Sequence, residues 1–195
     1  MKKFAVLVSG NGTNLQALLD AIEQKKLNAE ISVVISNVAN AFALERAKKA
    51  NAAAVFFPKH AGEKRANYDA RLADLVQSFR VDYVLLLGWM RILTERFLQN
   101  FTVINLHPAL PHTFAGVNCI EKQFAAFQNG EITECGIMTH FVPDEQVDAG
   151  PVIFTAHVPC IKGEPLADFE TRVHETEHRL VVKTVASLLA AETIE

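Results

Sequence analysis

The chain has 195 residues, of which 50% are hydrophobic, 21% charged and 8% aromatic, a composition typical of one soluble globular domain with a substantial core. Lys and Arg number 19 against 22 Asp and Glu, so the formal net charge is −3, and the sequence contains no basic stripe. These values argue against a nucleic-acid-binding protein, although local donors could still bind an anionic small molecule.

Short apolar runs alternate with helix-period segments along the chain. The first run follows Met1-Lys2-Lys3 and is too short for a signal peptide or a membrane span, so a cytoplasmic location is expected. Strands are predicted at residues 4–8, 31–35, 54–57, 81–87, 103–105, 137–142 and 152–158. The clearest predicted helices cover residues 14–24, about 121–128 and 166–191. An exposed helix face is predicted for Glu45, Arg46, Lys48 and Lys49.

This alternation predicts an α/β fold. We expect a single-domain, Rossmann-like three-layer sandwich with a mostly parallel central sheet, one or more antiparallel C-terminal strands and a long C-terminal helix. In such sheets ligands bind outside the carboxyl ends of the strands, near the switch in strand order. Polar and glycine residues that directly follow strands are therefore the candidates for a site.

The first such segment is Ser9-Gly10-Asn11-Gly12-Thr13-Asn14, which follows the first strand and opens the first helix. Its glycines let a ligand approach the backbone, and the N–H groups of a helix start favour an anion such as phosphate. Leu15 stands where the dinucleotide fingerprint needs glycine, and the P-loop pattern is absent. The turn is therefore either a phosphate or phosphosugar site or a plain turn with an Asn or Thr cap.

Asn105-Leu106-His107-Pro108 lies directly after the fifth predicted strand, where a catalytic loop is expected. His107 can donate or accept a proton near neutral pH, and the Asn105 amide can donate a hydrogen bond to a developing oxyanion. The alternative is a capping or core histidine. The position at a strand end beside Asn105 favours the catalytic interpretation.

Two carboxylates further along the chain could belong to the same site. Asp148 lies in an acidic turn between two predicted strands, where it is either an ordinary solvated residue or is held against a ligand or His107 by the Ala-Gly-Pro that follows. Contact with His107 would raise the imidazole pKa. Glu177 interrupts the apolar stripe of the last helix and needs a partner, either an Arg or backbone group or a ligand ammonium or hydroxyl.

The segment Gly88-Trp89-Met90-Arg91-Ile92-Leu93 follows the fourth strand. Its aromatic, Met and branched side chains either line a pocket for a flat heterocycle or pack in the core. No metal site is predicted, because the cysteines lack the spacing of zinc ligands: Cys119, Cys135 and Cys160.

In their order and separation, these motifs resemble those of the glycinamide ribonucleotide formyltransferases, the folate-dependent enzymes of purine synthesis. The resemblance covers nearly the whole chain, through residues 6–16, 88–93, 105–111, 147–153 and 177–178. The sequence departs from the family pattern at His112, where glycine is more usual, and at Asn118, where some relatives carry a histidine.

The resemblance implies roles for the residues of each motif. Asn105 and a protonated His107 would stabilise the oxyanion, and Asp148 would complete the catalytic triad by keeping His107 charged. The substrate phosphate would be held by Gly12, Thr13 and Asn14, and glycinamide ribonucleotide (GAR) would also contact Glu177. The pterin of 10-formyltetrahydrofolate would lie between two segments that contain Met90, Arg91, Ile92 and Leu93, and Val142, Asp144 and Val147.

The implied activity is transfer of the formyl group of the cosubstrate 10-formyltetrahydrofolate to the primary amine of GAR, giving formyl-GAR and tetrahydrofolate in de novo purine biosynthesis. Residues 1–105 would form a nucleotide- or phosphate-binding half, and 106–195 a folate-binding and catalytic half. The expected partners are these two small molecules, with no nucleic acid, membrane or metal, and a homodimer is left open. The alternatives are a formyltetrahydrofolate hydrolase, a methionyl-tRNA formyltransferase and a non-catalytic phosphosugar-binding module.

Overall fold

Seven strands and six helices alternate along residues 1–191, the part of the chain that the structure, a computed structural model, describes. The first nine elements are β1 (Lys2–Leu7), α1 (Thr13–Glu23), β2 (Ala29–Ser36), α2 (Phe42–Lys49), β3 (Ala53–Phe56), α3 (Arg65–Ser78), β4 (Tyr83–Leu86), α4 (Glu95–Leu98) and β5 (Val103–His107). They are followed by α5 (Cys119–Asn129), β6 (Cys135–Phe141), β7 (Val152–Val158) and α6 (Leu166–Ala190).

The strands form one sheet in the order β3-β2-β1-β4-β5-β6-β7. β1 to β5 pair in parallel, whereas β6 runs antiparallel to both β5 and β7. The strand order switches between β1 and β4, where Leu7 lies in register with Leu86. This mostly parallel sheet, together with the 25-residue helix α6, confirms the predicted α/β fold.

Helices cover both faces of the sheet. Phe4 and Val6 of β1 pack in a core with α1, α2 and α6, whereas Ala5 and Leu7 pack in a second core with α3 and α4. Consecutive side chains of a strand point to opposite faces, so a strand that is buried on both faces is apolar throughout. The three predicted layers are therefore present, and the central strands could be recognised as unbroken apolar runs.

The observed strand boundaries differ from the predicted ones beside the cavity described below. The fourth strand covers only Tyr83–Leu86, whereas the fifth continues to His107, which pairs with Met138 of β6. Asn105 lies in β5, as the predicted strand 103–105 has it, whereas the prediction that His107 lies in a loop after this strand is wrong. The antiparallel pairing with β6 prolongs β5 by two residues.

Candidate active site

A cavity of about 830 Å³ opens at the carboxyl ends of β1, β4 and β5. The structure brings all of the predicted site residues to its lining: Gly12, Thr13, Asn14, Met90, Arg91, Ile92, Leu93, Asn105, His107, Val142, Asp144, Val147, Asp148 and Glu177. This location is the switch in strand order, at which sheets of this kind bind ligands.

Asp148 joins Asn105 to His107 inside the cavity. The latter two residues alternate along β5, so their side chains point to the same face of the sheet. Asn105 Nδ2 donates to Asp148 Oδ1 at 3.0 Å, and His107 Nδ1 lies 3.2 Å from Asp148 Oδ2. Asp148 reaches them from the loop between β6 and β7, where a Cβ on Gly150 would lie 1.9 Å from the Phe141 carbonyl oxygen. Only glycine therefore allows the chain to turn so closely against β6.

His140 is a further member of this group that the sequence does not single out. It pairs with Asn105 across β5 and β6, and its Nε2 lies 3.1 Å from the Asn105 amide nitrogen. Its Nδ1 lies 2.8 Å from the carbonyl oxygen of Phe141, and the same Nε2 also lies 3.5 Å from Asp148 Oδ1. A lone histidine in an otherwise apolar predicted strand is the signal that could have indicated it.

The loop before α5 covers the same group with its backbone. The Phe114 carbonyl oxygen lies 2.7 Å from His107 Nε2, and the Gly116 N–H donates to Asp148 Oδ2 at 2.9 Å. Both ring nitrogens of His107 thus face oxygen acceptors. A neutral ring can satisfy only one of them, whereas an imidazolium satisfies both.

Burial governs the charge states of the pair. It lowers the pKa of His107 below its ordinary value, against the opposing effects of the Asp148 carboxylate and the Phe114 carbonyl. Asp148 thus acts in the predicted direction and raises the pKa of His107, but the loss of hydration, which the sequence does not show, outweighs it. Burial raises the pKa of Asp148, yet His140, the Gly116 N–H and His107 together bring it below its ordinary value. Burial thus favours the neutral form of His107, and the neighbours of Asp148 favour its ionised form.

The turn before α1 forms one end of the cavity. Gly12 is the N-cap of α1 in the left-handed conformation, with φ of 75°, and no side chain caps the helix. A Cβ on Gly12 would lie 2.6 Å from Ala43 Cβ, so the turn requires glycine on two counts. Among residues 1–191 the first N–H groups of α1 therefore meet no side-chain cap, which disagrees with the plain Asn or Thr cap and agrees with the start of a helix that is open to an anion.

Arg46 of α2 holds this turn in place through hydrogen bonds of its guanidinium. Its guanidinium donates to the Asn11 carbonyl oxygen at 2.9 Å, to Asn11 Oδ1 at 2.8 Å and to Gln16 Oε1 at 3.0 Å. The prediction of an exposed helix face is therefore wrong for Arg46, which is partly buried, and right for Glu45, Lys48 and Lys49.

Glu177 of α6 is buried beside the same turn. Its Oε2 accepts from Asn14 Nδ2 at 3.3 Å and lies 2.9 Å from His174 Nδ1. The protein partners of the buried carboxylate are thus an amide and an imidazole, where the sequence suggested an Arg or a backbone group. The hydrogen bond to Glu177 raises the pKa of His174, which lines the cavity as well.

The lining formed by Met90, Ile92, Leu93 and Val147 is apolar, and we call it the apolar end of the cavity. Met90, Ile92 and Val147 are 68%, 45% and 42% exposed and line the opening, whereas Leu93 is buried beneath them. The Met90 N–H donates to Ser9 Oγ at 2.9 Å, which fixes this segment to the turn after β1. The surface suits a flat apolar ring, since exposed hydrophobic side chains clustered around an opening mark ligand sites.

The two departures from the family pattern lie in the covering loop. His112 and Asn118 both have left-handed backbones, with φ of 62° and 58°. Asn118 lines the cavity as the N-cap residue of α5, whereas His112 is exposed outside it. Within residues 1–191, no cluster of His, Cys, Asp and Glu is arranged to hold a metal ion. No helix in this part of the chain is long and apolar enough to cross a membrane.

Comparisons with known proteins agree with this arrangement. A family model described as formyl transferase matches residues 2–185. The phosphoribosylglycinamide formyltransferase of Dictyostelium discoideum is 43% identical to this chain, and the match covers 94% of this chain and 96% of the relative. The phosphoribosylglycinamide formyltransferase of Escherichia coli is 38% identical, and the match covers 90% of this chain and 81% of the relative. The crystal structure of glycinamide ribonucleotide transformylase 1 from Geobacillus kaustophilus superposes with a TM-score of 0.89 at 31% identity, covering 97% of this chain and 99% of that one. The chain therefore belongs to the formyl transferase family, among its phosphoribosylglycinamide formyltransferases.

Proposed function

We propose that this protein transfers the formyl group of 10-formyltetrahydrofolate to the primary amine of GAR. The observation that carries the proposal is the carboxylate of Asp148, which joins the Asn105 amide and the His107 imidazole between an anion-binding turn and an apolar opening. An amine nucleophile with a phosphate and an acyl donor with a flat ring are the two substrates that such a cavity suits. The relatives named above act as formyltransferases on GAR by name, which supports the same pair.

In the proposed reaction the amine nitrogen of GAR attacks the formyl carbon, and a C–N bond forms while the carbonyl oxygen becomes an oxyanion. His107, neutral before the reaction, takes the proton that the amine loses, directly or through a water. It then returns the proton to N10 of the folate as the bond between N10 and the formyl carbon breaks. Asp148 stabilises the imidazolium in between, because its carboxylate faces Nδ1 at 3.2 Å.

Asn105 and His107 are the proposed donors to the oxyanion. The Phe114 carbonyl oxygen, an acceptor 2.7 Å from His107 Nε2, marks a position that an oxyanion could take once the covering loop withdraws. The Asn105 amide would exchange its bond to His140 or Asp148 for one to the same oxygen. Each preorganised donor of this kind contributes roughly 3 kcal/mol to the reduction of the barrier.

The two ends of the cavity receive the two substrates in this proposal. Gly12, Thr13 and Asn14 hold the phosphate of GAR through the start of α1, and the carboxylate of Glu177 contacts the rest of that substrate. The pterin lies among the exposed apolar residues at the opposite end, together with the remaining segment residues Arg91, Val142 and Asp144. A metal ion takes no part in the proposed reaction.

The division of the single domain at residue 105 also belongs to this proposal. Residues 1–105 provide the phosphate turn, and 106–195 provide His107, Asp148 and one donor-binding segment. There are three exceptions: the segment 90–93 and the catalytic Asn105 belong to the first half, and Glu177, which contacts GAR in this proposal, belongs to the second. A cytoplasmic location and a homodimer stay predictions.

Purified protein with 10-formyltetrahydrofolate, assayed with and without GAR, tests the proposal. Formation of tetrahydrofolate only when GAR is present supports the transferase. Equal formation of tetrahydrofolate and formate without GAR would indicate a hydrolase. Binding of GAR without any consumption of the donor would indicate a phosphosugar-binding module.

A further inference from the structure

The segment Trp89–Thr94 lies between the cavity and helix α3 and has unusual polar contacts. The indole Nε1 of Trp89 and the guanidinium Nε of Arg91 are buried without a hydrogen-bond partner among residues 1–191. The Arg91 guanidinium lies over the Tyr68 ring of α3, 4.5 Å from its centroid. Few side-chain bonds therefore determine where this segment sits, and its position must depend on its ends.

The two ends of the segment are each held by one backbone hydrogen bond. The Met90 N–H donates to Ser9 Oγ at 2.9 Å, and the Thr94 N–H donates to Asp69 Oδ2 of α3 at 2.7 Å. Between these two amides lie Ile92 and Leu93, which line the apolar end of the cavity. The bond to Asp69 is the shorter of the two, and it comes from helix α3, whereas the bond to Ser9 comes from the turn after β1.

Asp69 is a carboxyl in an otherwise apolar core, where Thr94 and the charges of Arg91 and Arg65 act on it. Its side chain is fully buried on the inner face of α3, and the second oxygen, Oδ1, has no hydrogen-bond partner in the described part of the chain. Burial raises its pKa, against the opposing effect of the Thr94 N–H. A polar group left half-satisfied in a core costs stability, so its retention calls for a compensating function.

The start of α4, which Asp69 binds through Thr94, also contacts the loop between β6 and β7, the second segment proposed to line the donor site. The amide after Thr94, that of Glu95, donates to Glu145 Oε1 at 3.2 Å in the loop between β6 and β7. Glu145 is also paired with Arg65, at the start of α3. The start of α4 thus binds carboxylates from α3 and from the loop that carries Asp148, and a shift of Thr94 would displace both walls of the apolar end.

We infer that Asp69 is a positioning residue for the formyl donor, which holds the Trp89–Thr94 segment in the shape that receives the flat ring. This inference rests on the proposed function for the identity of the donor. Asp69 does not touch the cavity, so it acts through Thr94. Its loss should weaken donor binding and leave GAR binding, at the turn before α1, unchanged.

Trp89 makes the test direct, because it is the only tryptophan of the chain and lies in this segment. Emission of the wild-type protein reports a buried indole, and quenching by added 10-formyltetrahydrofolate gives a Kd without turnover. Asp69→Ala should shift the emission to longer wavelength and raise the donor Kd about tenfold, since a buried N–H loses its acceptor. Asp69→Asn keeps an oxygen for Thr94 and should stay within about twofold of wild type.

Two further variants separate positioning from a general loss of structure. Asp69→Leu lacks the acceptor and leaves no alanine-type cavity, so it should lose donor affinity as Asp69→Ala does even if the alanine cavity destabilises that protein. Asp74→Ala, at an exposed position of the same helix, is the matched control and should resemble wild type. The KM for GAR should stay within about twofold in every folded variant.

Unchanged Trp89 emission and donor Kd in folded Asp69→Ala or Asp69→Leu would overturn the inference. So would equal losses of affinity for donor and GAR, which indicate a purely structural residue, or a loss in Asp69→Asn as large as in Asp69→Ala. Failure of the proposed function appears separately, as a wild-type protein that does not consume the donor with GAR, because the emission shift requires neither substrate nor turnover.

Discussion

The two ends of the cavity present different chemical groups to a ligand: backbone groups at one end and apolar side chains at the other. The turn before α1 offers backbone groups fixed by Gly12, which has no space for a Cβ, and by the buried contacts of Asn14 with Glu177. The opposite end offers exposed apolar side chains, above all Met90 and Ile92. Recognition of the phosphate therefore depends on backbone geometry, which few substitutions preserve, whereas recognition of the ring depends on apolar area, which is lost in small increments.

Removal of the His107 imidazole, which lies between the two ends of the cavity, has the largest expected effect. His107→Ala should lower kcat by about 100- to 1,000-fold and change both KM values little, because it removes a proton acceptor and an oxyanion donor used only in the transition state. Steady-state kinetics with each substrate varied measures this split. The exposed His112→Ala serves as the matched control. Near-normal turnover in His107→Ala would reject the assignment.

Gly12→Ala should break the phosphate end alone. The added Cβ meets Ala43 Cβ at 2.6 Å, so the turn must shift, and we expect the KM for GAR to rise by about tenfold or more while donor binding persists. Gly62→Ala is the control, because Gly62 has a similar φ of 72° but open space around it. An equal rise for both substrates would show that the two ends are not independent.

Ile92→Ser should weaken the donor end by a smaller amount. Ile92 is already 45% exposed, so we expect the donor KM to rise only about threefold to tenfold, from the loss of part of its apolar contact. The KM for GAR measured in parallel should not change. Val38→Ser, at an exposed position outside the cavity lining, provides the comparison. A donor KM equal to that of wild type would place the ring elsewhere.

The smallest expected effect is a pH dependence at the phosphate end. The pKa of His174 is raised by Glu177 above its ordinary value of 6.5, so the folded state holds this proton more tightly than the unfolded chain. The resulting stabilisation is fully present below pH 6.5 and is lost as the pH rises through the folded-state pKa. Thermal unfolding should show a Tm advantage of about 1–2 °C over His174→Gln at low pH that disappears at high pH. A constant difference would contradict this assignment.

The fold could be predicted from the sequence because central strands buried on both faces are continuous apolar runs. Helix α3 was harder to recognise, since its buried face contains the carboxyl of Asp69. The end of β5 was misplaced because its last residues gain their strand character from β6, more than 30 residues later in the chain.

The site was predicted as a set of motifs, whereas its chemistry depends on contacts that no motif contains. His140 joins the group only through its register with Asn105 across two strands. Arg46 reaches the turn before α1 from a different helix. The pKa of His107 is lowered by its burial, which the sequence does not reveal and which outweighs the predicted effect of Asp148.

The central claim is that one amide, one imidazole and one carboxylate move a formyl group between two substrates bound at opposite ends of one cavity. Its most direct test uses 10-formyltetrahydrofolate labelled with ¹³C in the formyl group, together with GAR, and locates the label by mass spectrometry. The account predicts labelled formyl-GAR in equal amount to the tetrahydrofolate formed, and almost none with His107→Ala. Label recovered as free formate, or transfer that survives His107→Ala, would contradict it.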